Sequence, residues 1–244
     1  RFIVTVTDPL GRTARQGFDT TVVAFVNSAP VYTTGKLTTQ AAVEGQAFSY
    51  PLPAGSFTDS NGDPLSYSAQ ILVGSTWLNL PQLGLSINAT TGNITGTLTG
   101  PTQTSYSVKV IASDGLATGN GTFTLNVNRK PVLQSALSSQ VSQVNTAFSY
   151  VIPATTFNDP NGTALTYSVS GLPAGLSFNA GTRTISGTPT TIGSVTVTVT
   201  ASDGVLSAST TFTFNVTGPN QAPVLANAIA NKTANQNSSF SYVI

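Results

Sequence analysis

Oxygen-bearing side chains in two turns of the chain have the types and spacing of a calcium site. Asp59, Asn61 and Asp63 alternate within one Asp-Ser-Asn-Gly-Asp turn, and Asp114 opens a second, Asp-Gly turn. Calcium takes six to eight oxygen ligands, several of them carboxylates. If both turns and the preceding segment Asn27-Ser28 lie at one end of a domain, these four residues predict a metal site with calcium as its cofactor.

The same residues have an ordinary structural interpretation. Asp and Asn are favoured in turns because their side chains accept hydrogen bonds from nearby backbone amides. A second junction in the sequence reads Asn128-Arg129-Lys130, which places two cations where a metal would lie. Calcium is therefore expected, if anywhere, at the first junction, and the sequence leaves both interpretations open.

The residues that most enzymes use for catalysis are missing from the sequence. The chain has no His and no Cys, and its single Glu is Glu44. No base is available to activate a nucleophile, and no pair of opposed carboxylates stands outside the two turns. The sequence therefore predicts that the protein is not an enzyme.

Aromatic side chains offer a candidate surface for sugars or cells, and they also have a structural interpretation. Trp77 lies in a segment that one repeat has and the next lacks, whereas Tyr50 and Tyr67 recur as Tyr150 and Tyr167. Recurrence favours packing, and a β-sandwich would use Trp77 in its core. Ligand binding is therefore the alternative and packing the expectation.

The charge of the chain argues against two classes of partner. Lys and Arg number nine against eight Asp and Glu, which gives a net charge of +1, and 7% of the residues are charged. An average globular protein carries roughly 25%. Nucleic acid and anionic membranes are therefore not favoured as partners. The longest apolar run, Val22 to Val26, has five residues, against the ~18 that span a bilayer.

Landmarks that recur in a fixed order show that the sequence is repetitive. A proline opens successive repeats at Pro30, Pro131 and Pro223, at spacings of 101 and 92 residues. A Phe-Ser-Tyr triplet follows each proline, at spacings of 100 and 92 residues. We therefore predict the C-terminal part of a repeat at 1–27, complete repeats at 28–128 and 129–219, and the N-terminal part of a further repeat at 220–244.

Apolar and polar residues alternate with period two through both complete repeats, and helical periodicity is absent. The clearest element is a hairpin at Leu172 to Thr190, with a diverged copy at Leu80 to Thr99. Leu176 and Phe178 alternate with polar residues before a Gly-containing turn, and Ile185 returns on the buried side. About seven short strands per repeat, separated by turn signals, predict tandem antiparallel β-sandwiches of immunoglobulin type.

Three segments resemble the bacterial "Putative Ig" repeat and, more widely, cadherin-like domains of the dystroglycan type. Asp59 to Ser68 matches the family's D-x-x-G-D-x-L-x-Y-S turn and strand, Leu172 to Pro189 its hairpin, and Val199 to Gly204 its V-x-A-x-D-G turn. Thr163 departs from the pattern by replacing Asp63 in the second repeat. Cadherin-like junctions also use such Asp turns beside an acidic linker, which this chain lacks.

The resemblance implies an all-β fold of tandem immunoglobulin/cadherin-like antiparallel β-sandwiches in large secreted or surface-attached proteins, often adhesins. We therefore expect a structural segment of an extracellular stalk, fibre or adhesin that acts as a spacer or scaffold at the cell surface. One alternative is a module that binds carbohydrate or mediates cell contact, with a ligand that the sequence does not identify. Another is a filament subunit in which segments 220–244 and 1–27 of two copies share one sandwich. The expected partners are neighbouring repeats of the chain and, in a fibre, copies of itself.

Overall fold

The computed structural model describes residues 2–19, 26–224, 230–241 and 243. Its regular structure is almost entirely β-strand, which confirms the all-β prediction. The chain divides into two compact units between Lys130 and Pro131, and the loop Asp159–Thr163 groups with the first unit. Residues 22–25 of the apolar run and Tyr242 of the third Phe-Ser-Tyr triplet lie outside the described residues.

A β-hairpin precedes the first complete repeat. Its strands β1 (Phe2–Thr7) and β2 (Thr13–Phe18) pair antiparallel along their whole length. The rings of Phe2 and Phe18 stack with centres 5.6 Å apart, and every residue of both strands is exposed. The hairpin has the form expected of the last two strands of a repeat, and the assignment of 1–27 as a partial repeat stays a prediction.

The first complete repeat is built from two main sheets. Its strands are β3 (Val31–Tyr32), β4 (Gln40–Val43), β5 (Ala47–Tyr50), β6 (Phe57–Thr58), β7 (Ser66–Val73), β8 (Thr76–Asn79), β9 (Leu85–Ile87), β10 (Ile94–Thr97), β11 (Ser105–Ser113) and β12 (Thr118–Asn128). A 3₁₀ helix at Leu80–Leu83 follows β8. One sheet has the order β4-β12-β11-β7-β8, the other has the order β5-β10-β9, and β3 pairs with β6. Neighbouring strands are antiparallel except β4 and β12, which are parallel.

Inward-facing residues at period two build the core of the first repeat. Along β11 buried residues alternate with half-buried ones, and Val110 is fully buried. The ring of Tyr50 packs against Phe123 across the two sheets, with ring centres 4.8 Å apart. The Tyr106 hydroxyl accepts the backbone N–H of Thr102 at 2.8 Å, a contact typical of immunoglobulin-type sandwiches near the start of the sixth strand.

The second complete repeat has the same topology with one strand fewer. Its strands are β13 (Val132–Leu133), β14 (Gln140–Gln143), β15 (Phe148–Val151), β16 (Phe157–Asn158), β17 (Thr166–Ser170), β18 (Leu176–Asn179), β19 (Thr184–Gly187), β20 (Gly193–Ser202) and β21 (Ser207–Thr217). The sheets have the orders β14-β21-β20-β17 and β15-β19-β18, and β13 pairs with β16. Its separate core includes an edge-on contact between Phe148 and Phe214, with ring centres 4.8 Å apart.

The four recurring tyrosines lie in or against the two cores, which confirms their packing role. Tyr50 is buried, and Tyr67, Tyr150 and Tyr167 pack against the core clusters with part of each side chain exposed. Burial raises the pKa of the Tyr150 hydroxyl above its ordinary value.

The hairpin of β18 and β19 confirms the pattern that its sequence predicts. Ile185 is fully buried, while Leu176 and Phe178 pack against the same core from β18. Phe178 is the register partner of Ile185. The hairpin therefore places one apolar face on the core of its repeat.

Two glycines at the base of this hairpin approach each other backbone to backbone. A Cβ added to Gly187 would overlap the carbonyl oxygen of Gly175, and one added to Gly175 would overlap the carbonyl oxygen of Thr188. Gly84 and Gly96 show the same contact in the first repeat. All four glycines have positive φ, so side chains are excluded there both by space and by backbone conformation.

The extra segment of the first repeat adds strand β8 and corrects the expectation for Trp77. Ile71 pairs with Leu78 and is fully buried, so Trp77, the preceding residue on β8, faces outward. The Lys109 ammonium lies 4.1 Å from the centre of the Trp77 ring. The prediction of a core Trp77 is wrong because β8 extends the sheet with strict alternation, which leaves this residue on the outer face.

We expect Gly187→Ala to destabilise the second repeat by ~2 kcal/mol or more, because the backbone must move to relieve the overlap. Gly181→Ala is the matched control in the same hairpin. Its φ is not positive and the nearest atom to its added Cβ is 3.4 Å away, so it should change stability by less than ~0.5 kcal/mol. Urea unfolding measures both values, and equal effects would contradict the close glycine contact.

Candidate functional site

The turn between β6 and β7 is built on one carboxylate oxygen of Asp59. Its Oδ1 accepts the backbone N–H of Asn61 at 2.8 Å and of Asp63 at 3.3 Å. The N–H of Gly62 donates to the Asp59 carbonyl at 3.3 Å, and Gly62 has a φ of 79°. Asp59 therefore acts as a turn former, with its Oδ1 committed to the turn.

The side chain of Asn61 pairs with the backbone of the segment that enters the first complete repeat. Its Oδ1 accepts the N–H of Ser28 at 2.8 Å, and its Nδ2 donates to the carbonyl oxygen of Val26 at 3.2 Å. An Asn side chain carries the same donor and acceptor as a peptide unit. Asn61 therefore holds this linker in the way that a neighbouring strand would.

Asp114 connects the turn between β11 and β12 to the same linker. Its Oδ1 accepts the N–H groups of Leu116 at 2.7 Å and Ala117 at 2.6 Å, and its Oδ2 accepts the Asn27 side-chain amide at 3.0 Å. The backbone hydrogen bond from Ala117, the amide of Asn27 and the backbone of Leu116 lower the pKa of the Asp114 carboxyl below its ordinary value.

A second asparagine repeats the pairing with the next linker, within the first compact unit. Asn161, in the loop between β16 and β17, accepts the N–H of Arg129 at 2.9 Å and donates to the carbonyl oxygen of Val127 at 2.8 Å. The N–H of Lys130 donates to a carboxylate oxygen of Glu44 at 3.0 Å. The backbone of this linker is therefore bonded at three residues, Val127, Arg129 and Lys130.

The four predicted calcium ligands fit a cation only in part. Both amide atoms of Asn61 are already bonded to the linker, and the described residues contain no group of three or more His, Cys, Asp or Glu residues that could hold a metal. At this junction Oδ2 of Asp59 and Oδ1 of Asn27 are buried without a hydrogen-bond partner in the described part of the chain, and Oδ2 of the equivalent Asp159 is likewise unpaired. Such oxygens suit a hard cation, so the calcium site stays a prediction.

The two complete repeats match a known family of domains. A model of the family described as "Putative Ig domain" matches residues 29–128 and 130–217, which is more than half of the chain. The chain belongs to this family. The described residues hold no helix with both the length and the apolar character that a membrane crossing requires.

Staphylococcal adhesins are among the curated relatives of these Ig repeats. The "Serine-rich adhesin for platelets" of Staphylococcus aureus strain MRSA252 is 36% identical over 150 residues, which cover 59% of this chain and 11% of the adhesin. The protein of the same name in strain MSSA476 is also 36% identical, over 6% of its length. The chain therefore spans a small part of the length of these relatives.

Two solved cadherin structures show a low level of similarity to this chain. Human protocadherin-24 EC1-2 is 14% identical, with 80% of this chain and all of that chain covered and a TM-score of 0.46. Mouse cadherin-23 EC22-24 is 17% identical, with coverages of 89% and 73% and a TM-score of 0.46. Similarity at this level carries no information on ligands.

Sequence reasoning missed the residues that hold the linkers of the Ig repeats. The sequence predicts Asn61 as a metal ligand or turn former and Asn27 as part of the linker beside that site, and it assigns Glu44 no contact. One signal was available, because Asn occupies the third position of the turn in both complete repeats, as Asn61 and Asn161. A turn of this kind does not require Asn at that position, so the recurrence of Asn indicates that Asn61 and Asn161 bond to equivalent partners.

We expect Asn61→Ala to release the linker that enters the first Ig repeat. The Ser28 amide would lose its acceptor. A hydrogen bond of about 0.5–1.5 kcal/mol corresponds to roughly 2- to 13-fold faster hydrogen exchange at that amide, which NMR measures. The Arg129 amide is the control in the same sample, since Asn161 still holds it. Unchanged exchange at Ser28, or equal acceleration at both amides, would contradict the assigned pairing.

Proposed function

We propose that the chain is a structural segment of an extracellular tandem-repeat stalk, fibre or adhesin, and that it acts as a spacer at the cell surface. The observation that carries this proposal is the repeated pairing of Asn61 and Asn161 with the linker backbone. A tether that only connects domains needs no such contacts. A spacer does, because its length depends on linkers that keep one conformation.

The contacts around the second linker favour the same role. Glu44 is the only Glu of the chain. Its carboxylate accepts a hydrogen bond from the Lys130 N–H and so contributes to holding the linker. The Arg129 guanidinium donates to the Thr102 carbonyl at 3.1 Å. Charged side chains are scarce in this sequence, and two of them, Glu44 and Arg129, form hydrogen bonds at this linker. We assign no catalytic activity to the chain.

The relatives support a location outside the cell. They are adhesins by name, and this chain corresponds to a small fraction of their length. Contact with platelets belongs to those whole proteins. For this chain we propose that the binding end of the larger protein lies outside the described repeats, whose own partners are the neighbouring repeats.

Two spin labels would test the spacer role. The chain has no Cys, so Thr122→Cys and Thr211→Cys introduce the only two attachment points, at exposed and equivalent register positions on β12 and β21. We expect a narrow distance distribution by pulsed electron paramagnetic resonance, because the linker between the labelled repeats is held.

Two further variants make this test specific. Adding Asn161→Ala should broaden the distribution, since Asn161 holds residues 127–129. Adding Asn61→Ala is the control, since Asn61 holds the linker ahead of the first label, and it should leave the distribution unchanged. A broad distribution in the starting protein would contradict the spacer and favour a flexible tether.

Calcium binding at the first junction is a second proposal, and the orphaned oxygens of Asp59 and Asn27 favour it. Saturating calcium at about 100 times its Kd would add about 2.7 kcal/mol, a rise of roughly 10–20 °C in the Tm of the first repeat. Calorimetry with and without a chelator measures this shift. Asp59→Asn keeps the turn acceptor, removes the charge and should abolish the response. An unchanged melting curve after chelation would contradict the proposal.

A further inference from the structure

Arg183 stands in a backbone conformation that favours glycine. Its φ is 55°, and Gly92 occupies the equivalent position in the first repeat with a φ of 71°. The equivalence follows from register, since Ile94 pairs with Tyr50 and Ile185 pairs with Tyr150. A non-glycine residue in the left-handed region is strained, so its side chain must provide something that glycine does not.

The contacts of the Arg183 side chain within the protein are few. Its Nε donates to the Ile152 carbonyl at 3.3 Å, and its guanidinium carbon lies 5.9 Å from the ring centre of Tyr167. Burial raises the pKa of the Tyr167 hydroxyl, and the charge of Arg183 opposes that rise. Among the described residues Arg183 forms no ion pair, and its one side-chain hydrogen bond uses Nε, so both Nη groups of this half-buried guanidinium can bind a ligand.

A groove of about 330 Å³ lies beside Arg183, within the second compact unit. Its lining residues are Leu165, Thr166, Tyr167, Ala180, Gly181 and Arg183. In the first repeat the Tyr67 N–H donates to the Ala89 carbonyl at 2.8 Å, so these two groups bond to each other there. The equivalent pair, the Tyr167 N–H and the Ala180 carbonyl, forms no such bond. The groove therefore presents one free backbone donor and one free backbone acceptor next to a guanidinium.

We propose that this groove binds the carboxylate of an acidic monosaccharide unit, such as a hexuronic acid within a glycan. A guanidinium pairs with a carboxylate through two parallel hydrogen bonds, and the Tyr167 N–H adds a third donor. The Ala180 carbonyl accepts a ring hydroxyl. The volume accommodates one sugar ring, and the adjoining donors and acceptor match a carboxylate and hydroxyl groups on that ring. This site is independent of the spacer role, and the first repeat lacks its guanidinium because Gly92 occupies the position equivalent to Arg183.

An NMR titration of the whole chain with sodium glucuronate tests the proposal. We expect saturable shifts at the amides of Tyr167 and Gly181 with a Kd of about 1–10 mM. The methyl ester of glucuronic acid has the same ring without the charge, and it should bind at least tenfold more weakly. Acetate should shift the same amides with lower affinity, since it carries the carboxylate without the ring.

Two variants complete the experiment. Arg183→Gly installs the residue of the first repeat, so it should keep or raise the Tm while losing glucuronate binding. Lys109→Ala removes a cation from the first repeat and should leave binding unchanged. The proposal is overturned if the acid and its ester bind equally, if no saturable shift is seen, or if an acidic dipeptide binds more tightly than glucuronate. It is also overturned if Arg183→Gly retains binding or loses much of its Tm.

Discussion

The ends of the Ig repeats depend on one interaction, the pairing of an asparagine amide with the backbone that enters each repeat. Asn61 and Asn161 present a donor and an acceptor to residues 26–28 and 127–129. Both stand between an Asp that bonds the turn amides and a Gly with positive φ. A β-sandwich alone would accept many turn sequences at this position. The bonds that Asn makes to the linker explain why an Asp-x-Asn-Gly turn recurs there.

The cores beneath these turns explain how a chain with 7% charged residues keeps a defined fold. Each complete repeat has its own cluster of buried apolar residues between two sheets. The hairpin that closes each core is fixed by backbone contacts at Gly84 with Gly96 and at Gly175 with Gly187. Since packing and backbone ladders specify the fold, the outer faces and turns remain available for contacts that differ between repeats, such as Trp77 in one and Arg183 in the other.

Sequence patterns predicted the parts of the structure that repeat with period two. The alternation around Ile185 determined which face of the hairpin is buried, and the recurring tyrosines marked packing positions. Trp77 was misplaced because its residue type favours a core, whereas the register of β8 with Ile71 and Leu78 decides the face. The pairing of Asn61 with Ser28 joins residues 33 apart in sequence, and no local pattern encodes such a contact. Calcium binding and the domain limits stay predictions.

The central claim is that two separately packed Ig repeats form the spacer. The most direct test is to stretch the whole chain from its two ends in a force spectrometer. The account predicts two distinct unfolding events, each releasing roughly 30 nm of chain, since 88–100 residues match the family in each repeat and an extended residue spans about 3.3–3.6 Å. Gly187→Ala should lower the force of one event alone. A single event that releases about twice that length would contradict the account, because the two repeats would then unfold as one unit.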